Sequence, residues 1–157
     1  ICDALDYAHG RGVVHRDLKP GNVLVRAADE APFLCDFGLA KLRQDASALT
    51  QTGDILGTPS YMAPEQARGQ GKLIGPPTDV HAIGALLYFL LAGRPPFVGP
   101  KPFEVLRQVA QDEPRSIIEL NSAVPQALGA IVHKALQKSP PDRFHTAGQL
   151  KAALLAL

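Results

Sequence analysis

Residues 15–22 read HRDLKPGN and put four ionisable side chains, a proline and a glycine into eight positions. Such a stretch is poor material for a core. Its residue types suit the handling of a phosphate. Phosphoryl transfer needs a carboxylate that orients the attacking hydroxyl and accepts its proton. It needs a cation beside the transferred group and oxygen ligands for Mg²⁺, and positioning is most of what a protein contributes. Mg²⁺ prefers oxygen donors and binds through one or two carboxylates together with phosphate oxygens. Asp17, Lys19, Asn22 and Asp36 supply these parts.

The flanking sequence must hold those residues in place. Ile1, Leu5 and Ala8 recur at helical spacing, and Gly10 is suited to end that helix. VLV (23–25) and PFLC (32–35) are β-prone runs with the turn-forming AADE between them, a pairing that brings Asn22 and Asp36 close. Residues 36–65 show no period and are rich in Thr, Ser, Gly and Asp, which predicts a long loop. A loop of that length in a compact domain is usually functional or disordered. From Pro76 the chain turns helical. Thr78 or Asp79 can cap an apolar helix that ends before Gly93. Residues 103–111, 125–137 and 146–157 pattern as three further amphipathic helices, with Pro125 at a helix start.

Composition narrows the function classes. The chain has 157 residues, enough for one domain, with 46% hydrophobic and 20% charged residues. A formal charge of +1 gives no general electrostatic case for nucleic acid or an anionic membrane. Cys2 and Cys35 form no close pair of the metal or redox kind, which points to a reducing, cytoplasmic setting. The apolar run 80–92 falls short of a bilayer span and contains His81, so it reads as a buried helix. His9, His81, His133 and His145 lack metal-ligand spacing and receive no role. Residues 68–75 (RGQGKLIG) imitate a phosphate loop without its spacing and read as a surface connection.

HRDLKPGN, followed by DFG (36–38) and APE (63–65), resembles the signature set of protein kinases in its proper order. The similarity runs from residue 1 to about residue 150. It implies an α+β, protein-kinase-like fold, of which this chain is mainly the α-helical C-terminal lobe with a small β element. It implies ATP and Mg²⁺ as cofactors and proteins bearing Ser or Thr as substrates. DLKPGN and GTPSY are forms of serine/threonine kinases, and APEQA with no Trp leans towards bacterial members.

The resemblance also implies roles. Asp17 is the base and Lys19 contacts the γ-phosphate. Asn22 and Asp36 hold Mg²⁺, and Leu24 floors the adenine pocket. Phe37 packs in the stack that distinguishes active from inactive states. Thr58 bridges towards Asp17 and Lys19 and shapes the substrate groove. His15 packs and hydrogen-bonds beneath the catalytic loop. Asp79 holds that loop from the central helix, and Arg143 pairs with Glu65. Arg16 is expected to bind a phosphate on the activation loop, where Ser47, Thr50 and Thr52 are candidates and the latter two are favoured. Cys35 is expected to be a small buried hydrophobe behind the nucleotide.

Neither G-x-G-x-x-G nor a V-A-I-K-like strand is present in the sequence. The expectation is therefore residues 1–157 as a C-terminal lobe without the N-terminal lobe, incompetent by itself, with Leu24 and Phe37 on an open face. No membrane contact is expected within the segment, although the whole protein can be anchored elsewhere. The alternative is a scaffold of pseudokinase type. The intact set Asp17, Lys19, Asn22 and Asp36 discriminates against it, since such proteins usually lose one of these.

Overall fold

The computed structural model describes residues 1–37 and 59–157. Among them are seven α-helices, four short 3₁₀ turns and one two-stranded sheet. Helix α1 (Cys2–His9) buries Leu5 completely. It closes on Gly10 in right-handed backbone (φ −61°), and the left-handed turn residue is Gly12 instead (φ 73°). Strands β1 (Val23–Val25) and β2 (Pro32–Leu34) pair antiparallel, with Val23 opposite Leu34 and Leu24 opposite Phe33. Cys35 lies beyond β2, yet its N–H still bonds the Asn22 carbonyl at 3.1 Å.

Two local departures from the sequence reading concern the site. Residues within the stretch predicted as loop form a one-turn helix, α2 (Pro64–Ala67), opened by Pro64 at its first position. A single turn shows no period, but proline there has a φ already suited to the helix and no N–H to lose. The second concerns α3 (Pro76–Ala92), whose N-cap is Gly75 rather than Thr78 or Asp79. Pro76 and Pro77 occupy the first turn, and Thr78 reaches back so that its Oγ1 accepts the Gly75 N–H at 3.1 Å. Asp79 is thereby free to face the loop before it.

Helix α3 is the axis of the molecule. Nearly every residue from Thr78 to Tyr88 is buried, as expected of a helix apolar on all sides. Gly93 ends it in the left-handed conformation (φ 69°), which glycine adopts without penalty. Around it lie α4 (Pro102–Gln111), α5 (Ile117–Leu120), α6 (Gln126–Ala135) and α7 (Ala147–Leu155). Helix α6 crosses so closely that a Cβ on Gly84 would stand 2.8 Å from that of Ala135. Helix α7 packs beside α1, and Thr146 caps it by accepting the Gln149 N–H. Two apolar clusters flank α3. One gathers Leu5, Leu18, Val80, Ile83, Phe144 and Leu150. The other gathers Tyr61, Leu86, Tyr88, Ile117, Val132 and Leu136. No described helix is long and apolar enough to cross a membrane.

Candidate active site

The loop between α1 and β1 is fixed first by Asp79. A carboxylate buried without donors is costly, and Asp79 is completely buried. It accepts from the His15 N–H at 2.8 Å, the Arg16 N–H at 2.9 Å and His9 Nε2 at 2.7 Å. Arg16 has φ 67°, a left-handed conformation that costs a non-glycine residue about 1–3 kcal/mol. Asp79 fixes both the N–H of Arg16 and that of His15 before it, and so holds the backbone that leads into this conformation.

Asp17 is the next residue. Its carboxylate accepts from Lys19 Nζ at 2.7 Å and from Asn22 Nδ2 at 3.2 Å. Asn22 Nδ2 also donates to the Asp17 carbonyl at 2.7 Å. A 3₁₀ turn, Pro20–Asn22, brings Asn22 back over Asp17 and buries it. Lys19 and Asp17 stay partly open to solvent. One carboxylate, one ammonium and one amide thus meet at a single accessible point.

His15 and the β hairpin bring Asp36 to this cluster. His15 Nδ1 accepts from the Asp17 N–H at 3.3 Å, so Nε2 carries the proton and donates to the Cys35 carbonyl at 2.9 Å. The Cys35 N–H is meanwhile bound to Asn22. Asp36 follows directly, exposed and again left-handed at φ 64°. The His15 ring stacks at a tilt on Phe37, with centroids 4.7 Å apart. Leu24 is 56% exposed on the hairpin surface. Phe37 departs from the open face expected of it: it is half-buried and packs against the core cluster around Leu5. Cys35 is half-buried rather than buried, because the two-stranded hairpin covers one side of it only.

A second polar centre lies beneath α2. Arg143 is buried and uses all five of its N–H donors. Nη1 and Nη2 take Glu65 Oε1 and Oε2 at 2.9 and 2.7 Å. The rest go to the carbonyls of Gln137, Pro77 and Lys138. Thr78 Oγ1 donates to Glu65 Oε1 at 2.8 Å. Burial acts most strongly on Glu65 and would raise its pKa. The Arg143 hydrogen bonds and charge, with the Thr78 hydroxyl, outweigh it and hold the carboxyl below its ordinary value.

Two residues in these networks had no role in the sequence reading. His9 braces Asp79, and nothing in its spacing points there, since a histidine in the last turn of a helix is ordinarily a partner for the helix dipole. Gln66 accepts the Ala63 N–H at 3.0 Å through Oε1 and donates to the Arg16 carbonyl at 2.8 Å through Nε2. His81 is fully buried with both ring nitrogens unpartnered among the described residues. Burial, with the charges of Arg143 and Lys138, pushes its pKa well below the usual histidine value. Ser47, Thr50, Thr52 and Thr58 lie outside the described residues, so the expectations for them have no structural counterpart.

The family model for the protein kinase domain matches residues 1–154. Serine/threonine-protein kinase PknB of Mycobacterium leprae is 37% identical over 154 residues, 98% of this chain and 24% of that protein. Serine/threonine-protein kinase PkaA of Streptomyces coelicolor is 46% identical over 145 residues, 91% of this chain and 25% of that protein. The crystal structure of Rad53 1-466 in complex with AMP-PNP superposes with a TM-score of 0.75 at 25% identity, covering 99% of this chain and 38% of that one. The chain spans about a quarter of the length of the curated relatives it matches. With that match along nearly every residue, and with the order HRDLKPGN, DFG, APE held on a fold shared with Rad53, the chain belongs to the protein kinase family, on its bacterial serine/threonine side.

Proposed function

We propose that this chain carries the base, the phosphate-facing cation and the metal-binding face of an ATP-dependent serine/threonine protein kinase. The observation that supports this most directly is the Asp17 carboxylate with Lys19 and Asn22 upon it. In the proposed reaction a protein hydroxyl lies against Asp17. Its oxygen bonds to the γ-phosphorus of ATP as the bond from that phosphorus to the bridging oxygen breaks. The proton passes to the Asp17 carboxylate, and ADP leaves. Lys19, one hydrogen bond from the base, offers its charge to the phosphoryl oxygens. The left-handed Arg16 and its Asp79 anchor set the direction of Asp17, which is the positioning such a reaction rewards.

Protein kinases use ATP with Mg²⁺, and the donors here fit that ion. Asn22 commits Nδ2 to Asp17, which leaves its Oδ1 for a cation. Asp36 adds an exposed carboxylate one residue past the Cys35–Asn22 backbone bond. Two oxygen ligands from protein, with phosphate oxygens and water for the rest, is the usual Mg²⁺ arrangement. When bound, the ion neutralises charge that develops on the transferred phosphate.

The test is phosphate transfer from ATP to serine and threonine peptides by the full-length protein. Asp17→Asn is expected to lower kcat by about a hundred- to ten-thousand-fold with ATP binding retained. Equal rates for Asp17→Asn and the unmodified protein would remove Asp17 from the role of base.

A further inference from the structure

The peptide that joins Arg16 to Asp17 is gripped at both ends. Its N–H, that of Asp17, goes to His15 Nδ1. Its C=O, that of Arg16, receives Gln66 Nε2 at 2.8 Å. The Arg16 N–H one step earlier goes to Asp79, and the Asp17 carbonyl one step later receives Asn22. Three of these four grips come from within the loop or from α3. The fourth alone comes from α2, at the end of the GTPSYMAPE segment. The orientation of the Gln66 amide is settled by its partners: Oε1 faces a backbone N–H and Nε2 faces a backbone carbonyl, so the reverse assignment would oppose like groups at both ends.

We propose that Gln66 is a positioning residue for Asp17. Its amide fastens the strained Arg16 peptide to α2, so that the aim of the Asp17 carboxylate depends on how the segment ahead of α2 is seated. This rests on the kinase reading for its catalytic consequence, but the link itself does not. Arg16 sits at φ 67°, where backbone without outside support relaxes towards common conformations. A carbonyl that loses its donor leaves the peptide plane held only by the 3.3 Å bond from its N–H to His15, and Asp17 is the next side chain along. Misplacement of a reacting group by about 1 Å can cost on the order of a hundredfold in rate.

Gln66→Glu separates the two halves of the amide. The new side chain still accepts the Ala63 N–H and keeps the start of α2. As a carboxylate it has nothing to donate to Arg16 and repels that carbonyl. In the full-length protein, amide hydrogen exchange at Arg16 and Asp17 is expected to quicken by about tenfold, with α3 and α7 unchanged. The kcat for peptide phosphorylation is expected to fall by about tenfold, with the KM for ATP little altered. The variant's rate, as a fraction of the unmodified rate at the same pH, rises as the pH is lowered, because the introduced carboxyl, once protonated, can again donate. Gln66→Met, which lacks both donor and acceptor, shows the loss without that recovery. Unchanged exchange at Arg16 and Asp17 overturns the proposal, and so does a rate deficit in Gln66→Glu that is the same at every pH. If the unmodified protein transfers no phosphate, the kinase reading falls, and exchange alone decides whether Gln66 holds the Arg16 peptide.

Discussion

Replacing Arg143 by methionine removes five hydrogen bonds and leaves the Glu65 carboxylate, 1% exposed, without its counterion. Breaking a buried pair from one side typically costs about 3–5 kcal/mol. Stranding the carbonyls of Pro77, Gln137 and Lys138 places this case at the upper end of that range. For a domain of this length each kcal/mol lowers Tm by about 2–4 °C, so a drop on the order of 10–20 °C is expected. The deficit has a pH signature. In the unmodified protein Glu65 is held below its ordinary value of 4.5, chiefly against burial and through Arg143. A depressed carboxyl contributes stability above its unfolded pKa, and that contribution is lost as pH falls through the folded value. In Arg143→Met burial acts unopposed by the guanidinium, so Glu65 prefers to be neutral. The penalty is then greatest near neutrality and shrinks as pH falls towards 4.5, where the carboxyl protonates readily. Urea denaturation followed by far-UV circular dichroism at several pH values measures this. Glu65→Gln with Arg143→Met is the second arm, because without the charge the double variant should recover part of the loss. A deficit under about 1 kcal/mol, or one that does not change with pH, would refute the assignment of this pair as the anchor of α2.

His81→Phe removes two ring nitrogens that have no partner among the described residues from the middle of α3 and is expected to stabilise the protein. Because the folded pKa of His81 is depressed, the unfolded state takes up the proton first, and the gain grows as pH falls below 6.5. Urea midpoints at neutral and mildly acidic pH check this, and equal gains at both would count against it. Gly84→Ala places a Cβ 2.8 Å from that of Ala135 and should cost about 1–3 kcal/mol through overpacking. A Tm equal to that of the unmodified protein would show that α3 and α6 lie farther apart.

The parts of the site that were legible in the sequence are those written contiguously. HRDLKPGN puts carboxylate, cation and amide within eight residues, and the hairpin after it could be read from two β-prone runs and a turn. The apolar run of α3 declared a buried helix by composition alone. The Glu65–Arg143 pair spans 78 residues and was accessible only through family resemblance, because no local pattern pairs a glutamate with an arginine so far away. His9 and Gln66 were illegible for the same physical reason. Their partners stand 70 and 50 residues off, and by local rules one is a helix-end histidine and the other an ordinary helical glutamine. Thr78 shows a pattern that fitted too well: Thr near a helix start satisfies the capping rule, but two prolines moved the start upstream and turned its hydroxyl towards Glu65.

These long-range bonds close a ring. Asp79 holds the Arg16 N–H, and Gln66 holds the Arg16 carbonyl. Gln66 is bonded through the chain to Glu65, Glu65 accepts from Thr78, and Thr78 is bonded through the chain to Asp79. Two adjacent pairs of residues, Glu65–Gln66 on α2 and Thr78–Asp79 on α3, therefore grip both one another and the residue before Asp17. A closed ring differs from a chain of bonds: when one link is cut, each remaining group is still tethered from the other side. Single losses at Gln66 and Thr78 should then add up to less than their joint loss, as is usual for members of one network. The arrangement also explains why so much polar material is buried beside α3, where apolar residues would pack at lower desolvation cost. An apolar contact is satisfied by many nearby geometries, whereas the left-handed Arg16 peptide needs a donor and an acceptor at fixed positions, and only directional groups supply them.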